Sequence, residues 1–347
     1  MRIMVTGGAG FIGSNFIRLV LAAHPCYAIT NLDKLTYAGN LENLTGLGGL
    51  SNYRFIKGDI CDAELVRGLM AESDAVVHFA AESHVDRSIS DAAPFFETNV
   101  HGTFTLLEAA RSARLKRFVH VSTDEVYGSI PEGLWTDETS GLFPSSPYSA
   151  AKAASDMFVL AFARTYGLPA LITRAGNNYG PFQFPEKFIP LIIGNALEDG
   201  PLPLYGDGLQ VRDWLYVEDH CRALDLLLHE GEPGEIYNIA GGELRTNLEV
   251  ARTILELLSK PASLITFVAD RPAHDRRYAL DASKLHAKFG WRPGVNFDEG
   301  IRQTVGWYAG HGDWVARVRD GAYREYYDRH YTRRQESLAS IQHGGKP

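Results

Sequence analysis

Through its first half the chain alternates short apolar runs with stretches of helical period: IMVTG, a helix from about Phe11 to Ala22, AITNLD, a helix near Ala63 to Met70, AVVHFAA, a helix near Phe96 to Ala113, and RFVHVST. Apolar runs without polar alternation suit strands buried on both faces, and strands separated by helices pair in parallel. This pattern predicts an α/β fold built on a doubly wound parallel sheet. A long helix from about Tyr148 to Tyr166 and a buried strand, PALITRAG, continue it. From Asn178 to about Gly208, prolines and glycines punctuate the chain (GPFQFPEKFIP, GPLPLYGDG), which predicts lobe-forming loops. A strand at EIYNIAG, a helix from Asn247 to Leu258, the polar run DRPAHDRRYALD and a helix near Phe297 to Tyr308 then predict a smaller C-terminal α/β domain interwoven with the first. The expected division is 1–177 for the first domain, with later segments returning to it, 178–333 mainly for the second, and 334–347 as a flexible tail. No internal repeat is evident.

A hydrophobic content of 45% over 347 residues is enough for a sizeable core. The balance of 34 basic against 42 acidic side chains, net −8, opposes nonspecific binding to nucleic acid or anionic membranes and favours small-molecule partners. Cys26, Cys61 and Cys221 lie far apart without metal-ligand spacing, so no disulfide framework and no metal site is expected. No run approaches eighteen apolar residues, and MRIMVTGG leads directly into a strand and a glycine turn with no room for a cleavable leader. The reading is a cytoplasmic protein.

VTGGAGFIGSNF places Gly8, Gly10 and Gly13 in GxGxxG spacing, and Gly7, Gly10 and Gly13 in GxxGxxG spacing, between the first strand and the first helix. Glycines there let the backbone approach a pyrophosphate, whose charge the helix N-terminus stabilises. Asp33 ends the second strand twenty residues past Gly13, where a carboxylate can accept both adenosine ribose hydroxyls. The same charge repels a 2′-phosphate, which favours NAD over NADP, although Lys34 stands beside it. A Rossmann-type domain follows. Asp59 in KGDICD serves equally to cap a helix or to contact adenine.

VSTDEVYG, residues 121–128, sets Thr123, Asp124 and Glu125 at the end of an otherwise buried strand. About two dozen residues on, SPYSAAKAASD puts Tyr148 and Lys152 four apart, on one face of a helix. A tyrosine is a poor base at neutral pH, but an ammonium one turn away and a cationic nicotinamide both favour its phenolate. Thr123 can hydrogen-bond the same substrate oxygen. His120 in RFVHVST reads as a core histidine.

These residues resemble the extended short-chain dehydrogenase/reductase superfamily and, within it, the dTDP-glucose 4,6-dehydratases. The resemblance rests on TDEVYG from Thr123, DKLTYAGN from Asp33, HFAAESHVDRS from His78, NNYGPFQFPEKFIP from Asn177, YGDGLQVRDWLYV from Tyr205 and DRPAHDRRY from Asp270, and it covers residues 1 to about 333. It implies that Tyr148, with Lys152 and Thr123, serves oxidation at C4 of a nucleotide-bound glucose, that Glu125 takes the C5 proton and that Asp124 protonates the departing C6 hydroxyl. An adjacent anionic glutamate and burial would raise the pKa of Asp124 as that role needs.

The resemblance further implies an NAD site at Gly7, Gly10, Phe11, Ile12, Gly13, Asp33, Lys34, Leu35, Thr36, Asp59, Ile60, Ala80, Ala81, Ser83, Thr98, Tyr148, Lys152 and Asn178. For a dTDP-glucose substrate it implies Ser83, His84, Thr123, Asn177, Lys187, Phe188, Pro203, Tyr205, Arg212, Asn247, Arg271, His274 and Tyr278. Arginine and lysine suit a diphosphate, and Tyr205 suits stacking on a base. A homodimer through a four-helix bundle formed by the helices from Phe96 and Tyr148 is also implied. Two departures stand out: Ala273 replaces the glycine of the common RPGHD, which would strain the loop if that position needs positive φ, and Ala175-Gly176 precede the asparagines. Competing readings are a nucleotide-sugar 4-epimerase or decarboxylase, a UDP-glucose 4,6-dehydratase, and a non-catalytic NAD-responsive regulator.

Overall fold

The computed structural model describes residues 1–319, 327–332 and 334. Its first half runs β1 (Arg2–Thr6), α1 (Phe11–Ala23), β2 (Ala28–Asp33), β3 (Tyr53–Lys57), α2 (Ala63–Ala71), β4 (Ala75–His78), α3 (Val85–Ser90), α4 (Ala93–Phe95), α5 (Thr103–Ser112), β5 (Arg117–Thr123), α6 (Pro147–Tyr166) and β6 (Ala170–Ala175). A π-helical stretch, Phe96–Gly102, joins α4 to α5. The second half adds β7 (Asn177–Tyr179), α7 (Phe188–Leu197), β8 (Leu202–Tyr205), β9 (Val211–Tyr216), α8 (Val217–Glu230), β10 (Ile236–Ile239), β11 (Leu244–Thr246), α9 (Asn247–Leu257), β12 (Ile265–Val268), α10 (Ser283–Phe289), α11 (Phe297–Gly310) and α12 (Gly312–Val318).

Seven strands form one parallel sheet in the order β10-β6-β5-β4-β1-β2-β3. Alternate side chains enter two separate cores, as a sheet covered on both faces requires. Ile3, Val5, Val77, Val119 and Leu171 pack against α1 and α8 through Phe16, Ile17, Val20, Leu224 and Leu227. Met4, Val76, Phe118 and Ile172 pack on the other face against Met70 of α2, Leu106 of α5 and Val159 of α6. The strand order reverses between β1 and β4, and a crevice opens there at the carboxyl ends of the strands.

A third core joins β8, β9, α7, α9, α11 and α12 through Ile192, Leu204, Trp214, Ile254, Ile301 and Trp314. It carries a three-stranded sheet, β11-β9-β7, and the parallel pair β12-β8. The proline-rich stretch after Asn178, expected as loops, contains the ten-residue helix α7. Pro190 falls in the first turn of that helix, where a missing amide costs nothing, so the proline does not break it. Among the described residues no helix is long and apolar enough to cross a membrane. The expected tail lies outside the described residues except Arg334, which is buried and donates to the Ala269 carbonyl.

Candidate active site

A crevice of about 310 Å³ runs along the carboxyl ends of β1, β2, β4, β5 and β6. A smaller cavity of about 170 Å³ adjoins it on the side of the third core. Ser83, Glu125, Asn177 and Lys187 line both. The first holds every residue expected at NAD except Leu35, whose amide instead donates to Asp33 Oδ1 at 2.8 Å. The second holds every residue expected at the substrate except Thr123, which lines the first.

At the nucleotide end, Gly7 has φ +73°, and a Cβ there would stand 2.6 Å from the Ala80 amide nitrogen. Only glycine lets β1 turn into α1 at this distance from β4. The helix begins at Gly10 without a side-chain cap, so its first amides face the crevice as a ready anion site. Asp33 accepts from the Ala9 amide at 2.9 Å, tying the turn to β2. Each of its oxygens keeps a further lone pair, which suits a ribose diol. Lys34 Nζ lies 2.6 Å from Asp59 Oδ2. Asp59 accepts from the Cys61 amide, whereas the cap of α2 is Asp62. The glycine cradle, the uncapped helix and the diol-accepting carboxylate together fit NAD.

At the chemical end, Thr123 caps a single turn, Asp124–Tyr127, by accepting from the Glu125 amide at 3.2 Å. The turn closes at Gly128, where φ is +73° and a Cβ would meet the Phe143 carbonyl oxygen. Two adjacent carboxyls are thereby held off the end of β5. Asp124 is 3% exposed, and its Oδ2 has no hydrogen-bond partner. Burial, and then the charge of Glu125, push its pKa well above the usual carboxylate range. Burial also raises Glu125, but the cations Arg271, Lys187 and Arg212 pull the other way. The pair is thus differentiated, with Asp124 the better acid and Glu125 the better base.

Helix α6 begins with a reciprocal Ser146/Ser149 capping box and Pro147 in its first turn, which fixes Tyr148 and Lys152 over the end of β5. Lys152 Nζ donates to the Val121 carbonyl at 2.7 Å, and burial lowers its pKa to about 8. Burial, with the charge of Glu125 next, raises the Tyr148 pKa; a hydrogen bond with Thr123 opposes this. Within the protein alone the phenol is therefore held protonated, and a cationic nicotinamide in the crevice would oppose both effects.

In the smaller cavity Arg271 pairs with Asp86 at 3.3 Å, and its Nε lacks a partner. Arg212 donates to the carbonyls of Val211 and Asp275 and lies 4.3 Å from the Tyr278 ring centre. Lys187 reaches the Ser83 carbonyl at 2.6 Å. Burial and the neighbouring arginines lower His274 to about 4, so it is a neutral donor or acceptor at neutral pH. Tyr205, expected under a base, stacks on Tyr331 with ring centres 5.7 Å apart, and its hydroxyl donates to Asp86. Asn177 Oδ1 is buried without a partner, whereas Asn178 engages His220 at 2.9 Å.

Sequence reasoning missed His220, Glu82, Glu186 and Asp86, all of which line these cavities. HFAAESHVDRS and NNYGPFQFPEKFIP, which contain all but His220, were the available signal. His120 is fully buried as expected, near Asp156 at 3.5 Å, a distance too long for a hydrogen bond. Ala273 does adopt positive φ, +52°.

A dinucleotide crevice with Thr123, Tyr148 and Lys152 at its inner end is the arrangement of the extended short-chain dehydrogenases/reductases. The family model for GDP-mannose 4,6 dehydratase matches residues 4–304. A dTDP-glucose 4,6-dehydratase of Streptomyces niveus is 53% identical, covering 90% of this chain and 94% of its own. That of Salmonella typhimurium is 50% identical over 96% of this chain and 100% of its own. Among solved structures, the dTDP-glucose 4,6-dehydratase DesIV of Streptomyces venezuelae, with NAD and TYD bound, superposes with a TM-score of 0.90 at 52% identity, covering 92% of this chain and 100% of its own. The UDP-glucose 4-epimerase of Thermus thermophilus, in complex with NAD, is more distant, at 36% identity and a TM-score of 0.83 over 90% of this chain and 100% of its own. The chain belongs to the dTDP-glucose 4,6-dehydratase family.

Proposed function

We propose that the protein is an NAD-dependent dTDP-glucose 4,6-dehydratase, a hydro-lyase that converts dTDP-glucose to the 4-keto-6-deoxy sugar. The observation that carries this is the carboxyl pair of buried Asp124 and half-buried Glu125, differentiated by their surroundings, at the junction of the two cavities. NAD, when bound, would supply the hydride acceptor for oxidation at C4 and the hydride donor for reduction at C6. Gly7, Gly10, Asp33, Asp59, Thr98 and Asn178 hold it, and Lys34, engaged by Asp59, leaves Asp33 free to exclude a 2′-phosphate.

Removing the C6 hydroxyl directly is hard, because C5–H is not acidic and hydroxide leaves poorly. Tyr148 first takes the C4 hydroxyl proton while Thr123 holds the same oxygen. The C4 ketone then acidifies C5–H by enolate stabilisation. Glu125 takes that proton and Asp124 protonates the departing hydroxyl, so water leaves. A proton from Glu125 or solvent returns to C5, and the proton gained at Tyr148 balances the one given up by Asp124. Lys187, Arg212 and Arg271 bring cationic donors to the diphosphate.

The unit of residues 1–177 carries the cofactor and that of 178–333 mainly the nucleotide. A homodimer is supported by Phe96, Phe104, Met157 and Phe158, large apolar side chains left exposed along α4–α5 and α6. The free thiols and net acidic charge suit the cytoplasm, and the product suits deoxysugar synthesis. Glu125→Gln tests the assignment. With dTDP-glucose it should still build up reduced-cofactor absorbance while water loss falls about 10²-fold or more. Undiminished water loss would remove Glu125 from the reaction, and sugar epimerised at C4 by the wild type would restore the epimerase reading.

A further inference from the structure

Helix α1 runs antiparallel to β1, so its end, with His24 and Tyr27, lies at the amino edge of the sheet, opposite the crevice. The last turns of α8 reach the same edge, where Arg117 at the start of β5 contacts the His229 carbonyl. Here His24 Nε2 stands 3.0 Å from both carboxylate oxygens of Asp225. His229 follows Asp225 by one helical turn, and its Nδ1 donates to the Asp225 carbonyl at 2.7 Å. That bond assigns the proton to Nδ1 and leaves Nε2 as the lone-pair nitrogen, which accepts from the Tyr27 hydroxyl at 2.8 Å. One donor atom from each of His24, Asp225 and His229 lies within 4.8 Å of the others.

We infer that His24, Asp225 and His229 form a binding site for a divalent cation of the zinc class. Two imidazoles and one carboxylate are a donor set such ions favour, with a fourth position for solvent. The side chains are 28%, 20% and 30% exposed in that order, open enough for entry and for a water ligand. The bond from His229 to a backbone carbonyl is the outer-shell support that orients a ligating histidine. The ion replaces the His24–Asp225 contact and the Tyr27 hydroxyl on His229. Because the histidines are more than two hundred residues apart, no local motif announces the site. The ion cross-links α1 to α8, which already share an apolar face through Val20 and Leu227, and so anchors the far end of the helix that presents its N-terminus to the cofactor.

A second cluster, Cys61, Glu97 and His101, lacks this preparation. Burial and the nearby Asp59 push the Cys61 thiol up to about 12, so it stays protonated and is a poor ligand.

The test titrates zinc chloride into tag-free, chelator-stripped full-length protein with NAD bound, by calorimetry. The wild type and His101→Ala should each take up one ion per chain and melt at a higher temperature with zinc. His24→Gln and His229→Gln should lose both effects while keeping the wild-type melting temperature in chelator and full dehydratase turnover. Should either glutamine variant fold poorly, Asp225→Asn takes its place in the same comparison. No saturable uptake by the wild type, or a step retained when these ligands are replaced, would overturn the inference.

Discussion

At the residue scale the proposed reaction turns on Asp124. Its pKa is raised in the folded chain by burial and by Glu125. A raised folded pKa means that the stabilising contribution is fully present below the unfolded pKa and is lost as pH rises through the folded value. Asp124→Asn removes that loss, so its melting temperature should exceed that of the wild type in mildly alkaline buffer and match it in strong acid. The same substitution removes the acid and should lower water loss. Turnover of the wild type should fall on the alkaline side as Asp124 ionises and on the acid side as Glu125 is protonated, giving a bell-shaped profile that Asp124→Asn changes on its alkaline limb. Ala273 is a second residue whose cost is local. Its φ of +52° disfavours alanine, so Ala273→Gly should stabilise the fold by about 1 kcal/mol in denaturant unfolding.

At the element scale, the βα alternation makes the large sheet and its flanking helices legible, because apolar strands buried on both faces leave a pattern that few other arrangements produce. Helix α1 is legible to within a residue, and α6 likewise, each bounded by local chemistry: Gly10 before one, Ser146-Pro147 before the other. Helix α7 is hidden, because Pro190 reads as a breaker until its place in the first turn is known. The nucleotide-end glycines, the carboxylate pair and the YxxxK spacing are visible locally. His220 is not, since the crevice gathers it from α8, far in sequence from these motifs. The exposed apolar side chains of α4–α5 and α6 bear on assembly. Phe104 and Phe158 already meet edge to face, with ring centres 5.7 Å apart. If they form half of a four-helix interface, Phe104→Glu with Met157→Glu should convert a dimer to a monomer in sedimentation equilibrium, and an unchanged mass would place the interface elsewhere.

At the scale of the whole molecule, the proposed reaction asks one crevice to serve oxidation, elimination and reduction in turn, with the nucleotide in the adjoining cavity. The parallel sheet brings the glycine cradle and the Thr123-Asp124-Glu125 turn to one edge, and the second lobe adds the cations of Lys187, Arg212 and Arg271. Because hydride taken from C4 returns at C6, the cofactor ends as it began and no external reductant is consumed. The most direct test is to incubate the protein and its bound NAD with dTDP-glucose in deuterated water, without reductant, and to analyse the sugar by mass spectrometry and NMR. Loss of one water with one deuteron at C5 is the predicted result. Water loss without deuterium at C5, or a sugar changed only in its C4 configuration, would contradict the roles given to Asp124 and Glu125.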